Sequence, residues 1–144
     1  MKTEQTSTIV VEVIVNAPAE LVWKYWSEPE HITQWNSASD DWFTPHAEND
    51  LRPGGKFLSR MEAKDGSFGF DFSGAYDEVK ANAHIAYTLD DKRKVSIDFI
   101  AQENKTKIIE RFEAENENSI ELQKNGWQSI LDRFKNYVEG KTAL

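Results

Sequence analysis

The sequence predicts an α+β fold in which a curved antiparallel sheet wraps around one long C-terminal helix, with two short helices after the first strand. Three observations carry this. From residue 47 to residue 113 the period becomes two, the spacing of strands that bury one face. Short turns separate these segments, as an antiparallel meander requires. After Asn118 the period changes: Ile120, Trp127, Ile130, Leu131, Phe134 and Val138 fall on one helical face. A curved sheet with one apolar face needs cover, and this helix supplies it.

The elements follow in order. Residues 1–7 are polar and are expected to fray. Thr8 to Val15 is rich in Val and Ile, which favour strand backbone; Ile9, Val11, Val13 and Val15 make one wholly apolar face, and Glu12 breaks the other. Asn16-Ala17-Pro18 ends the strand, and Pro18 suits a first helical turn because its missing N–H would go unpaired there anyway. Leu21, Val22, Trp23, Tyr25 and Trp26 make a short apolar helix. A second opens at Ser27-Glu28-Pro29-Glu30, where Ser27 and Glu30 have capping-box spacing, and carries Ile32 and Trp35 on one face. Asn36 to Pro45 reads as a polar loop, although Trp42 and Phe43 within it must pack on something.

Arg52-Pro53-Gly54-Gly55 is a turn. Phe57, Ser59, Met61 and Ala63 alternate with Leu58, Arg60 and Glu62, and Asp65-Gly66 is a hairpin signal. Phe68, Phe70, Phe72, Gly74 and Tyr76 alternate with Gly69, Asp71, Ser73 and Asp77. Three further strands hold Ile85-Tyr87-Leu89, Val95-Ile97-Phe99-Ala101 and Thr106 to Glu113. The long helix starts at Asn118, which has Glu121 three residues on, and Gly140 is its stop signal. Gly126, inside that helix, costs about 1 kcal/mol relative to Ala; it marks either a tolerated bend or a close approach of helix to sheet.

At 144 residues the chain suits one domain, 1–144. The net charge of −8 repels phosphate backbones and anionic lipid, so nucleic acid and membrane surfaces are poor partners. No apolar run approaches the roughly 20 residues that span a bilayer, and Ile9 to Val15 precedes no cleavage pattern of a signal peptide. The absence of Cys excludes disulfides, thiolate metal sites and cysteine nucleophiles, and fits a reducing, cytoplasmic location. Aromatic residues make up 12% of the chain, enough both to fill a core and to line a pocket.

Three stretches together resemble a known family. They are Asn16-Ala17-Pro18-Ala19-Glu20-Leu21-Val22-Trp23 running on to Ser27-Glu28-Pro29-Glu30-His31-Ile32 and Trp35; Asp50-Leu51-Arg52-Pro53-Gly54-Gly55-Lys56-Phe57; and Gly126-Trp127 with Leu131-Asp132-Arg133 and Tyr137-Val138-Glu139-Gly140. The chain resembles the C-terminal domain of the activator of heat shock protein 90 ATPase, in the START-like or SRPBCC superfamily. Arg60 to Ser67 with Phe70-Asp71-Phe72 resembles its bacterial, polyketide-cyclase-like subset. The resemblance implies a helix-grip fold with a cavity between sheet and long helix. It implies little about activity, because this scaffold hosts binding, transfer and catalysis. The eukaryotic activator also has an N-terminal domain that makes much of the contact with the chaperone; only the one domain is represented here.

No catalytic signature stands out. His31, His46 and His84 lack the spacing of a zinc site. There is no G-x-S-x-G, and Gly54-Gly55 lacks the residues and following helix of a phosphate loop. No metal and no cofactor are expected. Asp40-Asp41 lies beside Trp42, and Asp71 lies between Phe70 and Phe72; a carboxylate among aromatics can have a raised pKa and act as an acid or base. Alternation puts Asp71 opposite the Phe side chains, so inward rings leave Asp71 in solvent, and outward rings would bring Asp71 into the cavity with Arg60. The inward reading is favoured. The acidic stretch Glu110 to Glu117 reads as a solvated hairpin end.

The leading expectation is a non-enzymatic domain that binds a small apolar or amphipathic molecule. Its lining is expected to be Trp35, Trp42, Phe57, Met61 and Phe70 together with Phe72, Tyr87, Phe99, Trp127 and Leu131, with Tyr87 supplying one hydrogen bond. The second reading is a protein-interaction module that engages a chaperone or pairs with itself as a dimer. The third is a cyclase- or hydrolase-like enzyme using a cavity acid. A cavity filled by its own rings would favour the second, and an enclosed void with one convergent carboxylate or His the third.

Overall fold

The structure, a computed structural model, describes residues 7–142. The expected fraying of residues 1–7 therefore lies outside the described residues except at Ser7, whose carbonyl accepts a hydrogen bond from the Ala114 N–H at 2.8 Å. The elements run β1 (Thr8–Val15), α1 (Ala19–Ser27), α2 (Pro29–Trp35), β2 (Trp42–Asn49), β3 (Lys56–Ala63), β4 (Gly69–Lys80), β5 (His84–Leu89), β6 (Lys94–Gln102), β7 (Lys105–Glu113) and α3 (Ile120–Thr142). All seven strands form one antiparallel sheet in the order β1-β7-β6-β5-β4-β3-β2. It curls into a half-barrel around α3, so the predicted α+β helix-grip architecture is the one observed. Among the described residues no helix is long and apolar enough to cross a membrane.

The core lies where α3 meets the sheet. Ile9, Val11 and Val15 of β1, Ile108 and Phe112 of β7, and Leu131, Phe134 and Val138 of α3 are buried there. Each such side chain contributes about 1.5–3 kcal/mol by leaving water. The helix also protects a sheet edge. β1 pairs only with β7, which leaves carbonyls on its outer side free to template another strand. Lys135 Nζ donates to the Ile14 carbonyl at 2.9 Å, and Gln128 Nε2 to the Glu12 carbonyl at 3.1 Å.

Irregularities bend the sheet. The register of β4 on β5 shifts between Tyr76 and Glu78, a bulge that increases local twist. Gly74, just before it, has no room for a side chain: a Cβ there would lie 2.4 Å from the Thr88 carbonyl oxygen. At the same place the 52–55 turn hydrogen-bonds to Tyr76 through both Gly54 and Gly55.

Four expectations need correction. Asn36 to Pro45 is loop only as far as Asp41, because Trp42 begins β2. β2 is an edge strand, and its register on β3 shifts between Phe43 and His46; a proline is tolerated at such a place because no ladder N–H is needed. Ser27 does not cap α2. Glu28 holds the N-cap position with Pro29 behind it, no side chain caps the helix, and Ser27 Oγ is buried without a partner. The cap of α3 lies one residue later than the spacing suggests: Ser119 Oγ accepts from the Leu122 N–H at 3.0 Å, while Asn118 is held by Glu115. Ile120 is consequently in the first helical turn and is 47% exposed rather than part of the buried stripe.

Candidate functional site

Between α3 and the concave face of the sheet lies a cavity of about 350 Å³ that opens to solvent. Strand parity builds three walls of it. Phe57, Ser59 and Met61 project inward from β3, and Phe70, Phe72 and Tyr76 from β4. β5 adds Tyr87 and β7 adds Glu110. Trp42, Glu48 and Asn49 of β2 stand at one side, with Ile32 and Trp35 of α2 and Trp26 of α1. The roof is the α3 face made by Gly126, Trp127 and Ile130.

The rings brace one another. Trp127 stacks on Phe112 with centroids 3.8 Å apart and meets Phe72 edge-on at 6.0 Å. Phe57 contacts Tyr87 at 4.7 Å and Tyr76 at 5.2 Å. Trp35 and Trp26 lie 5.0 Å apart, and both meet Phe134 at 4.9 Å. Such mutual contacts hold the walls in place. At the rim Trp42, Phe70 and the exposed Phe68 form a three-ring cluster.

Of the ten side chains expected to line the pocket, Trp35, Trp42, Phe57, Met61, Phe70, Phe72, Tyr87 and Trp127 do so. Phe99 and Leu131 do not. Phe99 lies behind the wall, against Trp23 and Trp26 at 5.3 and 5.6 Å. Leu131 is fully buried in the core, because the helical face that carries it turns past the cavity into the β1 side. Phe70 and Phe72 face inward, and Asp71 faces out, where Arg60 pairs with it at 3.3 Å. Gly126 is not a point of close approach: a Cβ there would meet nothing within 4 Å, since the residue borders the cavity.

The polar groups are few. The Tyr76 hydroxyl donates to Asn49 Oδ1, and Asn49 Nδ2 donates to the Ser27 carbonyl at 2.7 Å, which locks α1 to β2. Burial holds the Tyr76 hydroxyl well above its usual pKa. Glu48 borders the cavity, but its carboxylate is largely in solvent, 2.7 Å from His46 Nε2. Asp40 is outside, bound to Arg133 of α3, whose hydrogen bond and charge hold its carboxyl below the ordinary range. Asp41 is exposed.

Glu110 is different and is a correction. It is only 6% exposed, lies among rings, and takes no hydrogen bond from any described residue. Loss of water pushes its pKa up to about 8. The hydroxyl of Tyr87, buried and on the same cavity, is raised well above its usual value by burial first and by Glu110 second. The reading of residues 110–117 as solvated missed this. The signal was present: Thr106, Ile108, Glu110 and Phe112 alternate on the buried face of β7, and Glu110 pairs with the buried Val11 and Ile97 on the flanking strands. Acidic neighbours at 113, 115 and 117 obscured it.

No lysine, arginine or histidine borders the cavity among the described residues. His31 lies in α2, with Nδ1 2.7 Å from the Tyr137 hydroxyl. Glu28, Glu30 and His31 bring ligand-type atoms within 4.8 Å of one another on the protein's outside, the ordinary arrangement of an acidic helix start.

A curled antiparallel sheet gripping a C-terminal helix over an aromatic pocket defines the class: a helix-grip pocket protein. The sequence model of the Activator of Hsp90 ATPase homolog 1-like protein family matches residues 16–139, and the chain belongs to that family. Among solved structures it is similar to the AHSA1-like protein from Aeromonas hydrophila, with 41% identity, 94% of each chain covered and a TM-score of 0.88. It is also similar to Chr148 from Cytophaga hutchinsonii, with 52% identity, 93% of each chain covered and a TM-score of 0.81. Protein NE0264 from Nitrosomonas europaea shares the fold at 19% identity, with a TM-score of 0.80 over 95% of this chain and 97% of that one. No curated protein matches the sequence. These relationships are consistent with the START-like superfamily.

Proposed function

We propose that the protein binds a small apolar or amphipathic molecule in the cavity between sheet and α3. One observation carries this: the pocket is walled by rings yet not filled by them, and its volume of about 350 Å³ falls within the roughly 300–1,000 Å³ of small-molecule sites. A module that worked through its surface alone would gain stability by filling such a space. N-phenyl-1-naphthylamine, a neutral fluorescent probe, should bind saturably with micromolar affinity. Apolar burial at roughly 25 cal/mol per Å² offset by association costs supports that range. Binding should be nearly independent of salt. Gly126→Phe, which places a ring in open space at the roof, should abolish binding and leave the fold intact. Absence of saturable binding to folded wild-type protein would overturn the reading.

Glu110 favours a second reading, an enzyme that moves a proton to or from a bound molecule. A carboxyl with a pKa near neutrality in an apolar site is suited to acid–base work; the open mouth of the pocket, which admits water, weighs against it. The test is deuterium exchange α to the carbonyl of an aryl ketone in D₂O, followed by NMR, with Glu110→Gln as control. Exchange no faster than with the variant would sink it.

A further inference from the structure

We infer that the molecule taken by this cavity is an organic amine, a two-ring-sized apolar body whose ammonium group is held by Glu110 against the surrounding aromatic faces. This rests on the reading of the cavity as a small-molecule site. Glu110 is a buried carboxyl that no described residue meets with a hydrogen bond or an ion pair, and it borders the pocket. An unpartnered group of this kind costs stability unless something brought into the cavity answers it. Neither a carboxylate nor a phosphate ligand can, since no cationic side chain lines the walls and the chain carries a net charge of −8. A cation can. The rings of Trp35, Phe57, Phe72, Tyr87 and Trp127 border the pocket, and aromatic rings attract ammonium groups to their faces.

The titratable groups bordering the cavity with Glu110 are Tyr87 of β5, Tyr76 of β4 and Glu48 of β2, whose carboxylate is in solvent; the flanking strands β1 and β6 set Val11 and Ile97 beside Glu110. α3 presents only Gly126, Trp127 and Ile130. In the empty pocket at pH 7 the Glu110 carboxyl therefore keeps its proton. When an ammonium group arrives, its N–H donates to the carboxylate, and the displaced carboxyl proton passes to solvent. The balance is one proton released per ammonium bound, less the fraction already ionised, which is roughly 0.9 proton at pH 7.

The experiment is titration calorimetry at pH 7 in two buffers of different ionisation enthalpy, comparing 2-(1-naphthyl)ethylamine with its neutral counterpart 2-(1-naphthyl)ethanol. The amine is expected to bind about tenfold or more tightly than the alcohol, as a charge-assisted contact provides, and to release close to one proton. The alcohol should release none. In Glu110→Gln the amine should fall to the alcohol's affinity and proton release should vanish, while alcohol binding persists. Equal binding of amine and alcohol to wild-type protein, or amine binding without proton release, would overturn the inference and leave the cavity reading standing. Failure of both compounds to bind folded protein would overturn the cavity reading and the inference with it. The proton count needs only the wild-type chain, so the result does not depend on how the variant folds.

Discussion

Glu110→Gln should change the way stability depends on pH. In the unfolded chain a glutamate titrates near 4.3, whereas burial moves Glu110 to about 8 in the folded protein. Below about pH 4 both states carry the proton and ionisation adds no cost. As pH rises, the unfolded chain ionises first while the folded one holds its proton, so folding is progressively penalised until the folded carboxyl ionises as well. A gap of roughly three and a half pH units at about 1.4 kcal/mol each comes to about 5 kcal/mol at pH 8 and above. Water reaching through the open mouth lowers this, so a gain of about 3–5 kcal/mol is expected for the variant at pH 8.5. At pH 5 the two chains should differ by no more than about 1 kcal/mol, the cost of an imperfectly bonded amide. Asp40, Glu115 and Glu139 have lowered pKa values, and the stability they contribute is lost as pH falls through those values. They are common to both chains and cancel in the difference. Urea unfolding followed by Trp fluorescence at pH 5, 7 and 8.5 measures it. A difference that stays constant over this range would refute the burial of Glu110 and the parity of β7 on which the site depends.

Trp127→Ala should destabilise by about 3–4 kcal/mol, since the ring stacks on Phe112, and should also weaken probe binding because the same ring borders the cavity. An unchanged melt together with unchanged binding would contradict both roles. Gly74→Ala should cost about 1–3 kcal/mol, because its Cβ would meet the Thr88 carbonyl oxygen at 2.4 Å and the backbone of β5 must give way; thermal denaturation reads this directly. Limited proteolysis should cut first at 36–41, the connection between α2 and β2, and early cleavage within 120–138 would mean that α3 is not docked.

Periodicity alone determined most of the architecture. The period of two from β3 to β7 and the helical stripe from Trp127 to Val138 are local patterns, and burying one face requires nothing more than that they be kept. The same parity placed Phe70 and Phe72 inward and Asp71 outward. Caps were less legible, because adjacent polar residues such as Asn118 and Ser119 are equally able to cap, and only the direction of the incoming chain decides which side chain meets a helix N–H. Pro45 reads as a breaker until β2 is known to be an edge, where its missing donor costs nothing. Phe99 and Leu131 are as apolar as their neighbours, and only the depth of α3 against the curled sheet separates core from cavity wall. Glu110 shows the division most sharply. Its alternation with Ile108 and Phe112 was written in the chain, but its acidity argued for solvent. The burial of that face follows from β1, β6 and α3 closing around it, contacts between residues about a hundred positions apart or more on the β1 side. Desolvation is a property of that enclosure and not of the residue, so the pKa that sets this site apart exists only in the folded protein.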